Sequence, residues 1–217
     1  MYYSTNKNLT LHFEQDYLGL RIQFDKSPFI SEYLHRLYET MARSVEQYRE
    51  TFAFRFDLRF PDSYQPYGFA YQNEVIDRFI ESFKAKIRHN RQLALRKNKY
   101  AHDTIVRYVW AREVGQRGRP HYHLAILLNK DAFCTLGTYE PGRDNMFNRL
   151  NEAWASALGL SLEAVAGLVE IPKNPCYIMH RDDPSSIEAL FFRASYLCKA
   201  ATKAYGDGGH GFGASRT

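Results

Sequence analysis

The chain has 217 residues, 45% of them hydrophobic and 24% charged, which is ordinary globular composition and enough for one substantial domain with its own core rather than two. A net charge of +5 and a sequence pI near 9.0 suit a polyanionic partner, and no stretch approaches the length of a membrane span. The opening MYYSTNKNLTLHFEQDYLG does not read as a signal peptide, and the sequence has no phosphate loop of the GxxxxGK[ST] type and no CxxC pair among its three cysteines. A secreted disulfide scaffold, a zinc ribbon and a nucleotide-driven motor are therefore not expected, and a reduced, cytoplasmic protein is.

In chain order, residues 1–28 read as a polar, irregular N-terminal arm. Ile30, Leu34, Leu37 and Met41 then step by four, three and four, which predicts a helix to about Arg49. TFAFRFDLRF (51–60) alternates Phe52, Phe54, Phe56, Leu58 and Phe60 with Ala53, Arg55, Asp57 and Arg59, a strand with one apolar and one polar face. After a turn at PDSYQPYG, Ile76, Phe79, Ile80, Phe83 and Ile87 mark the inner stripe of a helix over about 72–96. Its far end carries Lys84, Lys86, Arg88, Arg91, Arg96, Lys97 and Lys99 with no acidic residue between them. These cations suit either a solvated helix C-terminus or a nucleic-acid-facing patch, in which Lys84, Arg88 and Arg91 are candidate contacts.

Strands follow at 104–113 and 121–129, joined by VGQRGRP as a basic hairpin. A helix over about 143–158, a short strand at 167–172 and a last helix from about Ser185 to Tyr205 complete the series. The main domain spans 29–206, and 207–217 is expected to be a flexible Gly-rich tail. These elements predict an α+β fold with a central antiparallel sheet flanked by helices.

His121 and His123 lie two apart in a strand and share a face, so two imidazoles about 7 Å apart can converge on one ion. Neutral imidazole suits Mn, Zn, Fe or Cu. Glu113 closes the preceding strand and can reach the same point across the hairpin, with Gln116 as an alternative ligand from the loop. Arg117 and Arg119 beside this strand could hold flanking phosphates. Asp57, with Arg55 and Arg59 on the polar face of its strand, could support a histidine ligand. His180 reads as structural or exposed. In the last helix Tyr196 points away from the apolar stripe formed by Ile187, Leu190, Phe191, Ala194, Leu197, Cys198 and Ala201, and Lys199 and Lys203 follow it on the same side. A phenol is a weak nucleophile at neutral pH, and adjacent ammonium groups favour the charge it must carry on attacking a phosphate.

GRPHYHLAILLN resembles the His-hydrophobic-His motif of the HUH endonucleases, and SYLCKAATK resembles their tyrosine helix in its YxxK form. REVGQRGRPHYHLAILLN, YLCKA and the closing FGASR are more narrowly similar to the inovirus gene-two-protein replication initiators, also called YagK/YfjJ-type proteins, over about residues 50–215. The resemblance implies an HUH-like antiparallel sheet with His121 and His123 on a central strand and a divalent metal, Mn²⁺ or Mg²⁺. It implies a nucleophile at Tyr196 with Lys199 beside it, and a 5′-phosphotyrosyl product with a free 3′-hydroxyl at a single-stranded or origin DNA. Rolling-circle replication of a phage or mobile element follows from it, with a host helicase and polymerase as partners and no membrane. Ala200 stands where two-tyrosine relatives carry a second tyrosine. Alternatives are a relaxase or transposase of the same chemistry, a single-stranded nucleic-acid-binding module without catalysis, and a metalloenzyme unrelated to DNA.

Overall fold

The structure, a computed structural model, describes residues 6–62, 73–115, 119–201, 203 and 210–216 and the backbone of 2–3. In chain order its elements are β1 (Tyr2–Tyr3), β2 (Asn6–His12), β3 (Asp16–Tyr17), β4 (Leu20–Arg21), β5 (Phe29–Ile30), α1 (Ser31–Gln47) and β6 (Glu50–Leu58). Next come α2 (Glu74–Lys97), β7 (Arg107–Val114), β8 (Pro120–Asn129), α3 (Met146–Leu158), β9 (Val169–Glu170), β10 (Cys176–His180), α4 (Pro184–Ser195) and β11 (Phe212–Ala214). The main sheet has six antiparallel strands, ordered β10-β6-β8-β7-β11, with β9 also paired to β6. Four helices flank it, so the expected α+β architecture is the one observed.

Alternation along the strands builds two cores. On one face Phe52, Phe54, Phe56 and Leu58 of β6 and Tyr122, Leu124, Ile126 and Leu128 of β8 pack against Phe79 and Phe83 of α2 and Trp154 of α3. The Trp154 indole N–H donates to the Arg59 carbonyl at 2.8 Å, so its one polar atom is satisfied in the core. On the other face the smaller Ala53, Val109, Ala111, Ala125 and Leu127 lie under Leu34, Leu37 and Met41 of α1 and Leu190 and Phe191 of α4. The face of β6 expected to be polar is thus covered as well, and Arg55 is only 4% exposed.

Three expectations change. The stretch 1–28 is no free arm from Asn6 onward: β2 pairs with β5, Leu9 and Ile22 are buried, and the Gln23 amide nitrogen donates to Phe192 and Arg193 carbonyls of α4. The last helix stops at Ser195 rather than continuing to Tyr205. A 3-10 turn, Tyr196–Cys198, follows, and the Ala200 N–H donates to the Pro28 carbonyl at 2.8 Å, outside any helix. The backbone beside Phe29 supplies an alternative hydrogen-bond partner, which helical periodicity cannot reveal. Finally, Phe212–Ala214 of the tail forms an edge strand on β7, with Phe212 buried and stacked on Tyr33 at 4.4 Å.

Gly213 is opposite Trp110, and a β-carbon there would lie 2.4 Å from the indole. Gly213→Ala is therefore expected to destabilise the protein by about 1–3 kcal/mol. Urea unfolding measures this as a lower midpoint, and an unchanged midpoint would return 212–214 to the status of a loose tail.

Candidate metal centre

The sheet register assembles the site. In β8, His123 pairs across to Asp57 of β6 on one side, and His121 pairs to Glu113 of β7 on the other. Because side chains alternate, all four project to the α1/α4 face at one end of the sheet. One ligand atom from each of Glu113, His121 and His123 lies within 4.8 Å of the others. Glu113 is 3% and His123 7% exposed, while His121 is half-buried and forms the open edge.

Asp57 fixes the orientation of His123, its carboxylate 2.6 Å from Nδ1. With Nδ1 so engaged, Nε2 is turned toward Glu113 at 3.5 Å, an ion-pair distance, and is buried without a hydrogen-bond partner. A buried ring nitrogen aimed at a carboxylate and left unsatisfied is what a histidine held by a second carboxylate for metal ligation presents.

Charge around Glu113 is dense. Lys199 Nζ lies 3.0 Å from Oε2 and Lys203 Nζ 3.2 Å from Oε1. Burial works against ionisation of Glu113, but His123, Lys203 and Lys199 outweigh it and hold the carboxyl well below its ordinary range. Burial pulls the Lys203 ammonium downward, with Glu113 opposing. Burial and the neighbouring His123 likewise lower His121. For His123 burial opposes the charged form, yet Asp57 and Glu113 prevail and raise it.

Tyr196 closes the site from the 3-10 turn. Its ring meets His123 edge-on at 5.4 Å between centroids, with Lys199 Nζ 3.6 Å from its ring centre and the Arg55 guanidinium 5.5 Å away. Arg55 is itself tied to Asp57 at 3.8 Å. Tyr196, Lys199 and Lys203 therefore gather at the Glu113, His121 and His123 cluster, but through a break in the helix and not by the helical spacing that suggested them.

Arg119 stands at the rim, paired with Asp62, and lines an open cleft of about 400 Å³ with Arg59, Phe60 and His121. Gln116 and Arg117 lie outside the described residues. Lys84, Arg88 and Arg91 do not join the site: α2 packs on the opposite face of the sheet. His180 ends β10, where its Nδ1 accepts from the Asp182 N–H at 3.1 Å. Asp57, expected as a support for a histidine ligand, is joined at the site by Arg55. Their signal was two opposite charges at alternate positions of an otherwise phenylalanine-rich strand.

A metal at this candidate site would need neutral His123, so the raised proton affinity would move the loss of metal binding to higher pH than for an unperturbed histidine, whose ordinary pKa is about 6.5. Asp57→Asn removes the strongest support for the proton. The pH at which Mn²⁺ binding is half lost should fall, while affinity at alkaline pH drops by about 10- to 100-fold as the ring loses its orientation. Mn²⁺ titrations across a pH series test both effects, and an unmoved midpoint would mean that Asp57 does not govern His123.

The chain matches the YagK/YfjJ C-terminal domain family over residues 13–215. It is similar to two Escherichia coli (strain K12) proteins. With Uncharacterized protein YfjJ it shares 31% identity over 198 residues, covering 86% of this chain and 95% of the relative. With Uncharacterized protein YagK it shares 32% over 196 residues, covering 86% of this chain and 93% of the relative. No solved structure matches. Matched along nearly the whole domain, catalytic candidates included, the chain belongs to the YagK/YfjJ C-terminal domain family.

Proposed function

We propose that the protein nicks and rejoins single-stranded DNA through Tyr196, as HUH endonucleases do, and so initiates rolling-circle replication of a phage or other mobile element. The observation that carries this reading is the convergence of Tyr196 and Lys199, from the end of α4, on the Glu113, His121 and His123 cluster of β7 and β8. The buried Nε2 of His123, without a hydrogen bond and facing the Glu113 carboxylate, and the mixed imidazole and carboxylate donor set fit a divalent ion, which Glu113, His121 and His123 would hold. Bound there, Mn²⁺ or Mg²⁺ supplies Lewis-acid polarisation of a phosphate oxygen.

The chain's own residues account for the rest. Tyr196 Oη attacks phosphorus, forming the phosphotyrosyl bond, and the bond to the 3′ oxygen breaks. That oxygen leaves as a hydroxyl with the proton the phenol gives up. Lys199, its ammonium 3.6 Å from the centre of the Tyr196 ring, can offset the negative charge that develops on the phenol and phosphate. Asp57 holds His123 in one orientation. Arg119, at the mouth of the cleft beside His121, can meet the phosphate next to the scissile one. The 3′-hydroxyl would prime synthesis by a host polymerase, with unwinding left to a host helicase.

One observation favours a second reading. Lys199 and Lys203 already neutralise Glu113, so the site is electrostatically satisfied without an ion and could serve as a non-catalytic single-strand-binding surface. A covalent-adduct assay separates the two. Single-stranded DNA from the gene's own neighbourhood is mixed with protein and Mn²⁺ or Mg²⁺ and run on a denaturing gel. A shifted band is expected for wild type, absent in Tyr196→Phe and reduced at least 100-fold in His121→Ala/His123→Ala. Strand binding with no covalent band, retained by Tyr196→Phe, would replace the nickase by the binding module.

A further inference from the structure

The basic end of α2 lies far from the tyrosine site. The last buried side chain of this helix is Ile87, so residues 88–97 overhang the core for about 15 Å. Most helical stability in proteins comes from burying an apolar face, and no side chain of this stretch is fully buried, Leu93 and Leu95 being 40% and 42% exposed. Its surface is cationic. Lys84 pairs with Glu81 and Lys86 with Glu152, whereas Arg88, Arg96 and Lys97 are exposed and make no ion pair among the described residues. Arg91 is held in place, stacked on Phe133 at 4.3 Å and donating to the His102 carbonyl at 3.1 Å. Lys84, Arg88 and Arg91 line one side of a groove of about 390 Å³ whose other wall is residues 103–106.

This surface and the tyrosine site are on opposite faces of a sheet covered on both sides. With a sheet and a helical layer between them, the separation is roughly 20 Å. A single strand seated at Tyr196 cannot touch these cations without passing round the sheet.

We propose that the overhanging end of α2 is a second DNA surface, which grips the phosphate backbone of duplex DNA while the tyrosine site takes the single strand. The inference rests on the nickase reading for the identity of the polyanion. Its duplex character comes from the surface itself. Surfaces for single strands combine cations with a series of aromatic platforms, and on this stretch Tyr100 is the one exposed aromatic among the described residues. Clustered cations without stacking groups make sequence-independent backbone contacts, with an affinity set by counterion release.

The test uses the full chain with Arg88→Gln, Arg96→Gln and Lys97→Gln combined, all exposed and outside the catalytic machinery. Binding to a 30-base-pair duplex would be measured against salt. At low salt the variant should bind at least tenfold more weakly, and the slope of log affinity against log salt should shrink by about 2 to 3. Its rate of adduct formation on a short single strand should equal that of wild type. Unchanged duplex affinity and slope would overturn the proposal, as would a wild type that does not bind duplex. Equal loss of duplex binding and single-strand nicking, in a variant with wild-type circular dichroism and melting temperature, would show one continuous surface and likewise overturn it. Failure of the nickase reading is seen separately, as absence of any adduct with the α2 cations intact.

Discussion

The site depends on the Glu113 carboxylate, buried on a central strand and shared among His123, Lys199 and Lys203. A buried charge is tolerable only when paired, and removing one partner of a buried ion pair costs about 3–5 kcal/mol. Here the partners come from far apart in the chain: the histidine from the neighbouring strand, the lysines from beyond α4. Glu113 therefore ties the segment carrying Tyr196 to the strand carrying the histidines. The group that would meet metal in the proposed chemistry is also the group that holds the segment carrying Tyr196 against the sheet. An arriving divalent ion would compete with two ammonium groups for the same oxygens, so metal and lysine positions are coupled by charge alone.

The sheet around this point explains why it can carry charge. Its strands bury large aromatics toward α2 and α3 and small residues toward α1 and α4. The small side leaves room beneath α4 for Arg55, Asp57, Glu113 and His123, and the helix ends just above them. The same two-sided burial separates the tyrosine site from the cations of α2, so the two lie on different faces of the sheet.

Much of this was legible in the sequence. Period-two alternation in 51–60 and 121–129 gave the central strands, and the His-x-His spacing put both imidazoles on one face. The position of Glu113, eight residues before His121 across a hairpin, brought the carboxylate opposite it in register. The break at Ser195 was not legible, because the apolar stripe continues through Leu197, Cys198 and Ala201, and what ends the helix is a backbone partner at Pro28 from the other end of the chain. Nor was the closing strand: glycine content in the tail reads as looseness, whereas Gly213 is small because Trp110 lies against it. Asp57 was legible as a group that could support a histidine ligand, but that it meets His123 needed the pairing of β6 with β8.

The most direct test of the account is the position of the ion itself. Crystals of the protein grown with Mn²⁺ would be measured at a wavelength where manganese scatters anomalously. A single strong peak bounded by Glu113, His121 and His123 is expected, with the Lys199 ammonium withdrawn from the carboxylate and Tyr196 remaining beside His123. A peak elsewhere, or Glu113 still held by both lysines with no manganese at saturating concentration, would contradict it.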